Sequence, residues 1–279
     1  MMRTSRNGRG ALLTVLLGLI TVGTVTILPA VSRPALADSL ASQEVRYTLY
    51  FQGKPAGTHM VKIRHFAPRR ANGEETRIIE SFEDIRGPDV PEALWRRTRA
   101  TARASGTTLS FTAVTETGPP GSQNVTELNG RRNFDGSWTL HTTRGPASET
   151  VELRRSQADL CTLDLLDPIL NARLLDRPIA RMVDITTGEI VEGRTSDMGE
   201  VTAEIGGTNI GVRRAAFETA SHTWKWDWNL EGVLVQYDTR LGSGPLTARA
   251  DSAPDMRTWG AIETSTRFDN GVPIVQDDL

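Results

Sequence analysis

Cysteine is almost missing from this chain. Cys161 stands alone among 279 residues, so no intrachain disulfide can brace the fold and stability has to come from a hydrophobic core. Its setting, Leu160-Cys161-Thr162-Leu163, suits a buried small hydrophobe, with an intermolecular disulfide or a nucleophile as the alternatives. Histidine is scarce too, with His59, His65, His141 and His222 making up the set. His59 and His65 are six residues apart on one expected strand, hence on one face but roughly 20 Å from end to end, too far to share a metal. The chain has no HExxH, no Gly-x-Ser-x-Gly, no Gly-rich phosphate loop after a strand and no cysteine cluster, so neither a metal nor another cofactor is expected. A catalytic site assembled from separated residues would leave no such motif, and that option stays open.

What is present begins with an address. Arg3, Arg6 and Arg9 precede an apolar run over 11–28, Pro29 and Pro34 break it, and Ala35-Leu36-Ala37 forms the small-x-small triplet read by signal peptidase. Residues 1–37 are therefore expected to be a signal peptide cleaved after Ala37, delivering the rest to the periplasm without a membrane span. A retained anchor is the competing reading, since about 18 apolar residues just suffice to cross a bilayer. No arginine pair precedes the run, which points to the general export path rather than the twin-arginine one. Removing the segment takes away four of the 32 Lys and Arg and none of the 34 Asp and Glu, leaving a net charge of about −6 with both signs interspersed. Such a surface gives no basis for binding nucleic acid.

Beyond Gln43 the sequence reads almost everywhere with period two. Val45, Tyr47, Leu49 and Phe51 alternate with Arg46, Thr48, Tyr50 and Gln52; the turn-forming stretch 53–57 precedes a partner strand from Thr58 to Phe66. Further strands are expected near 76–85, 94–104, 107–117, 124–128, 131–134, 138–143, 210–217, 221–228, 233–241 and 258–268. Between about 156 and 177 the texture changes. Leu160, Leu163, Leu166, Leu170 and Leu174 recur at helical steps around Pro168, predicting one short helical segment, kinked or split in two. The expected architecture is mainly β: a strongly twisted antiparallel sheet or open half-barrel, forming a single domain over 38–279 with the helical segment crossing between two halves and a frayed end at about 270–279.

Two stretches nominate ligand-binding residues. On a strand Trp224, Trp226 and Trp228 share one face while Lys225 and Asp227 point the other way; such an indole stripe suits a sheet core, the lining of an apolar groove, or stacking against a flat ligand. Alternation also aligns Arg97, Arg99 and Arg103 on one face, as an anion site or as a solvated face paired with acids such as Glu80, Glu83 and Asp84. The first hairpin, Tyr47 to Gly53 with Gly57, and the segment Trp226 to Val235 resemble a group of exported bacterial proteins of unknown role, several of which are similar to the LolA/LolB lipoprotein carriers. That resemblance implies a curved antiparallel sheet with an apolar cavity and carries over no catalytic residue. The expected function is non-catalytic binding of a lipid-like molecule, or of an envelope protein, on the concave face, in envelope maintenance or transport. An envelope hydrolase acting on a glycan or ester, with His222 as acid/base, and a purely structural envelope factor are the alternatives.

Overall fold

The computed structural model describes residues 40–66, 76–167, 174, 178–252, 261–262, 268–269 and 272–273. The predicted signal segment, most of the predicted helical stretch beyond Asp167 and, apart from Val272–Pro273, the C-terminal end expected to fray lie outside the described residues. Residues 38–279 form one compact unit.

Period-two alternation becomes a long antiparallel meander. In chain order its strands are β1 (Leu40–Phe51), β2 (Lys54–Phe66), β3 (Thr76–Ile85), β4 (Arg96–Ser105), β5 (Thr107–Thr117), β6 (Asn124–Arg132), β7 (Trp138–Arg144) and β8 (Ala147–Leu153). After a short β9 (Leu160–Cys161) and a 3-10 turn over Thr162–Leu166 come β10 (Ile179–Val183), β11 (Ile190–Ile205), β12 (Thr208–Glu218), β13 (Thr223–Asn229), β14 (Leu234–Leu241) and β15 (Gly244–Ala250). The hydrogen-bonded order runs β8 to β1, then β15 down to β9, so the sheet is open, with β8 and β9 at its edges. Only β9 and β10 pair in parallel. β1 and β15 make the seam between two sequence-local meanders, through five pairs from Tyr47–Ala250 to Phe51–Leu246. At the C-terminal end β16 (Ala261–Ile262) pairs with β1, while β17 (Phe268–Asp269) and β18 (Val272–Pro273) form a minimal hairpin. No helix among the described residues is long and apolar enough to cross a membrane.

The inner face is lined with small side chains where the curl is tight. On β4, Thr98, Ala100, Ala102 and Ala104 are buried while Arg99 and Arg103 are exposed; Ala113, Ala248 and Ala250 continue the buried layer on β5 and β15. Alanine at these places lets the concave side close without crowding, and the larger Phe111, Trp138, Leu49 and Leu128 fill what remains. Gly130 belongs to the same solution, because a Cβ there would lie 2.1 Å from the Phe111 ring.

Two local expectations need revision. The first hairpin turns at Gln52 and Gly53, with φ of 52° and 81°, a two-residue connection whose positive φ values match the twist of the flanking strands. Gly57, expected in the turn, sits inside β2, where its missing side chain admits the carbonyl of Asp84. In the described part of the predicted helical segment, Leu160 belongs to a strand and Thr162–Leu166 to a 3-10 turn; Leu174 is a buried helical residue. Asp164 anchors this turn: its Oδ2 accepts the Cys161 N–H at 2.8 Å and its other oxygen accepts the Thr108 hydroxyl of β5. The first bond is half of a capping box that starts the turn and the second ties it to the sheet; the turn ends at Asp167, whose extended backbone (φ −97°, ψ 122°) is the conformation Pro168 imposes on the residue before it.

A cavity closed by the curl of the sheet

The concave side encloses a cavity of about 340 Å³, at the lower end of the range of about 300–1,000 Å³ typical of small-molecule sites. Its walls come from both meanders. From the first come His59, Ser81, Glu83, Arg96 and Thr98; the 3-10 turn adds Leu163, Leu165 and Leu166; the second meander adds Ile185, Val191, Trp224, Trp226, Leu234 and Tyr237. The first meander's share is a polar network, and the second's mixes aromatic and aliphatic side chains with Asp184, His222, Asp238 and Arg240.

That network is internally satisfied. The Tyr237 hydroxyl lies 2.6 Å from Nδ1 of His59, and the opposite ring nitrogen, Nε2, lies 2.8 Å from Oγ of Ser81. Tyr47 stacks on the His59 ring at 5.3 Å and donates its hydroxyl to the Leu234 carbonyl at 2.7 Å. Burial lowers the His59 pKa to about 4, so the ring is neutral near pH 7 and its two nitrogens act as one donor and one acceptor. Burial likewise raises Tyr237 well above the ordinary phenol value, helped by the Glu83 charge, and keeps it protonated. Beside them Arg96 donates to Glu83 at 2.8 Å. Burial opposes the Arg96 charge, and the adjacent carboxylate more than offsets it.

The tryptophan stripe forms as the alternation predicts. Trp224, Trp226 and Trp228 follow one another edge to face at 6.4 and 6.1 Å, and Phe217 of the neighbouring β12 stacks on Trp226 at 5.2 Å. Trp224 and Trp226 reach the cavity wall, while Trp228, also buried, does not line it. Lys225 faces solvent; Asp227 is buried instead, under a two-pronged ion pair with Arg214 at 2.7 Å on both oxygens. The three nominated arginines lie on the outer face of β4. Arg97 approaches Asp84 at 3.6 Å and Glu116 at 3.8 Å, Arg99 covers the Phe82 ring at 5.6 Å, and Arg103 projects outward near the far end of the strand. Among the arginines of β4, the one that lines the cavity is their neighbour Arg96.

His222 lines the cavity, with its Nδ1 2.6 Å from Oγ of Ser221 and 3.4 Å from Nη1 of Arg240. Partial burial and the Arg240 charge both lower its pKa. Cys161 is buried and reduced, and burial raises its thiol far above the reactive range. Among the described residues no group of three or more His, Cys, Asp or Glu is placed to hold a metal ion.

No protein-family model and no curated protein matches this chain. Among solved structures it is similar to a beta-barrel-like protein of the domain of unknown function DUF1849 from Brucella abortus, at 10% identity, covering 77% of this chain and 98% of that one, with a TM-score of 0.45.

Proposed function

We propose that this protein binds an apolar or amphipathic small molecule, without catalysis, in the cavity of its curled sheet, and that it does so in the periplasm after export through residues 1–37 and cleavage after Ala37. A role in envelope maintenance or transport follows from that location. The observation that carries the reading is the mixed wall: Trp224, Trp226, Leu165, Leu166 and Val191 line the same cavity as His59, Glu83 and Arg96. An apolar surface facing a few fixed polar groups is the usual make-up of a small-ligand site. Extraction of the native protein with organic solvent, followed by mass spectrometry, should yield a bound amphiphile, and acyl probes should quench the fluorescence of the stripe. Protein that yields nothing and ignores such probes would remove the proposal.

One observation favours a second reading, an ester hydrolase. Ser81, His59 and Tyr237 form a hydrogen-bonded chain at the cavity wall, in the order nucleophile, base and orienting group. It replaces His222 as the candidate acid/base. Against it stands the lowered pKa of His59, which makes the ring a weak proton acceptor. A fluorophosphonate probe decides: labelling that disappears in Ser81→Ala supports the hydrolase, and an unlabelled wild type supports the binder.

A further inference from the structure

The wall of the cavity has a split in it. The ladder between β13 and β14 runs only from the pair Trp226–Tyr237 to the pair Trp228–Leu234, with a bulge between Asp227 and Trp228. Thr223–Lys225 pair with β12 alone, and Asp238–Leu241 with β15 alone. The two strands therefore part company beyond Trp226, and residues from both sides of the gap line the cavity: His222 and Trp224 on one, Thr239 and Arg240 on the other.

Two arginines line this cavity, and they differ in one respect. Arg96 is matched by Glu83 at 2.8 Å. Arg240 donates to the Ser243 carbonyl and lies 3.4 Å from the His222 ring; among the described residues no carboxylate lies within ion-pair distance of it. Of the other acids on the wall, Asp184 accepts from the backbone and hydroxyl of Thr186 in its own turn, and Asp238 accepts from Thr247. On the same wall two buried ring nitrogens, Nε2 of His222 and, in the ring packed 5.3 Å from it, Nε1 of Trp224, have no hydrogen-bond partner. With Nδ1 of His222 facing a guanidinium N–H, Nε2 is left as the N–H, so the edge of the split gathers a cation and two unmatched donors. Immediately inside are Trp226, Leu165, Leu166 and Val191.

We infer that the ligand is a single-chain amphiphile with an acidic headgroup, carboxylate or phosphate, held by Arg240 at the split while its chain lies along the tryptophans and leucines. This rests on the cavity-binding reading above and specifies the ligand class. A guanidinium without an internal counter-ion is suited to either oxyanion, and the modest volume fits one chain better than two.

The test is titration of the full-length protein with dodecanoate, dodecyl phosphate, dodecanol and inorganic phosphate, followed by tryptophan fluorescence and calorimetry, in wild type, Arg240→Gln and Arg240→Lys. The expected result is binding of one or both acids at least about tenfold tighter than the alcohol, loss of that difference in Arg240→Gln, and its retention in Arg240→Lys. Which acid binds tighter distinguishes the two headgroups. Acid and alcohol binding equally, with no effect of Arg240→Gln, overturns the headgroup and leaves the cavity reading intact. Inorganic phosphate binding through Arg240 while no chain-bearing ligand binds overturns the amphiphile and the cavity reading with it, as does the absence of any binding.

Discussion

The hydroxyl of Tyr237 touches Nδ1 of His59 at 2.6 Å, although 178 residues separate them in the chain and β1 and β15 lie between their strands in the sheet. In a flat sheet that is three strand spacings, about 14 Å. The contact is therefore a direct measure of how sharply the sheet curls. Tyr237→Phe leaves a buried ring nitrogen without its partner and should cost about 1–3 kcal/mol in urea unfolding. A loss below about 0.5 kcal/mol, the range of an ordinary surface change, would mean that the bond does not hold the curl.

Two buried groups give opposite pH dependences. His59, lowered to about 4 by burial, binds its proton more readily when unfolded, so its contribution is present above about pH 6.5 and is lost as pH falls toward 4. Asp164, raised to about 6 by burial, contributes stability in its protonated form below about pH 4 and loses it as pH rises through 6. Each effect is on the order of 2–3 kcal/mol at 1.36 kcal/mol per unit, and between pH 4 and 6 they oppose one another. Relative to wild type, Asp164→Asn should gain stability more steeply with rising pH over that window, and His59→Gln less steeply. Parallel pH curves for all three proteins would refute both assignments.

Asp227 is 1% exposed and depends on Arg214 for its counter-charge. Asp227→Ala should destabilise by about 3 kcal/mol, the low end for a broken buried pair, because the Arg214 side chain is 27% exposed and can regain water. Arg214→Ala should cost more, since it strands a buried carboxylate. Equal and small losses from both would show that the pair contributes little.

Gly57→Ala tests the close approach of β2 and β3. A Cβ at this position would lie 1.9 Å from the Asp84 carbonyl oxygen, a backbone atom that cannot rotate away. The loss should reach or exceed the about 1–3 kcal/mol of ordinary overpacking. Gly53→Ala meets no neighbour but has φ of 81°, so it should be costly through backbone strain rather than contact. Thermal melts of the two variants, with Gly57→Ala the lower, check the ranking.

Much of the sheet was legible because one face of each strand is wet. On β4 the exposed Arg99 and Arg103 against the buried Ala100, Ala102 and Ala104 leave no doubt about period or phase, and Trp224 to Trp228 announce their shared side in the same way. The run Leu160, Leu163, Leu166 read as helical because spacing cannot register that Leu160 pairs with Met182 of β10 in the sheet or that Asp167, before Pro168, is extended. The polar network of the cavity was hidden for a related reason: His59, Ser81, Arg96 and Tyr237 come from four strands, and only the curl brings them together. A signal did exist. His59 shares its phase with the buried Val61 and Ile63, and Arg96 with Thr98 and Ala100; a titratable residue in the inward phase is a candidate for a shared polar network.

The seam between β1 and β15 also sets the order in which this protein can become functional. Within each meander a strand pairs with its neighbour in the chain, a local search; the seam instead joins positions such as Thr48 and Asp251, 203 residues apart, and closing so long a loop is slow and entropically costly. His59 and Arg96 belong to the first meander, Trp224, Tyr237 and Arg240 to the second, so neither half alone contains the proposed binding site. A preparation can be rich in strand while the seam is still open, and the proposed ligand would then not bind. Binding of the proposed ligand would thus be a late folding reporter, its rate of appearance after dilution from denaturant reading the closure of five residue pairs.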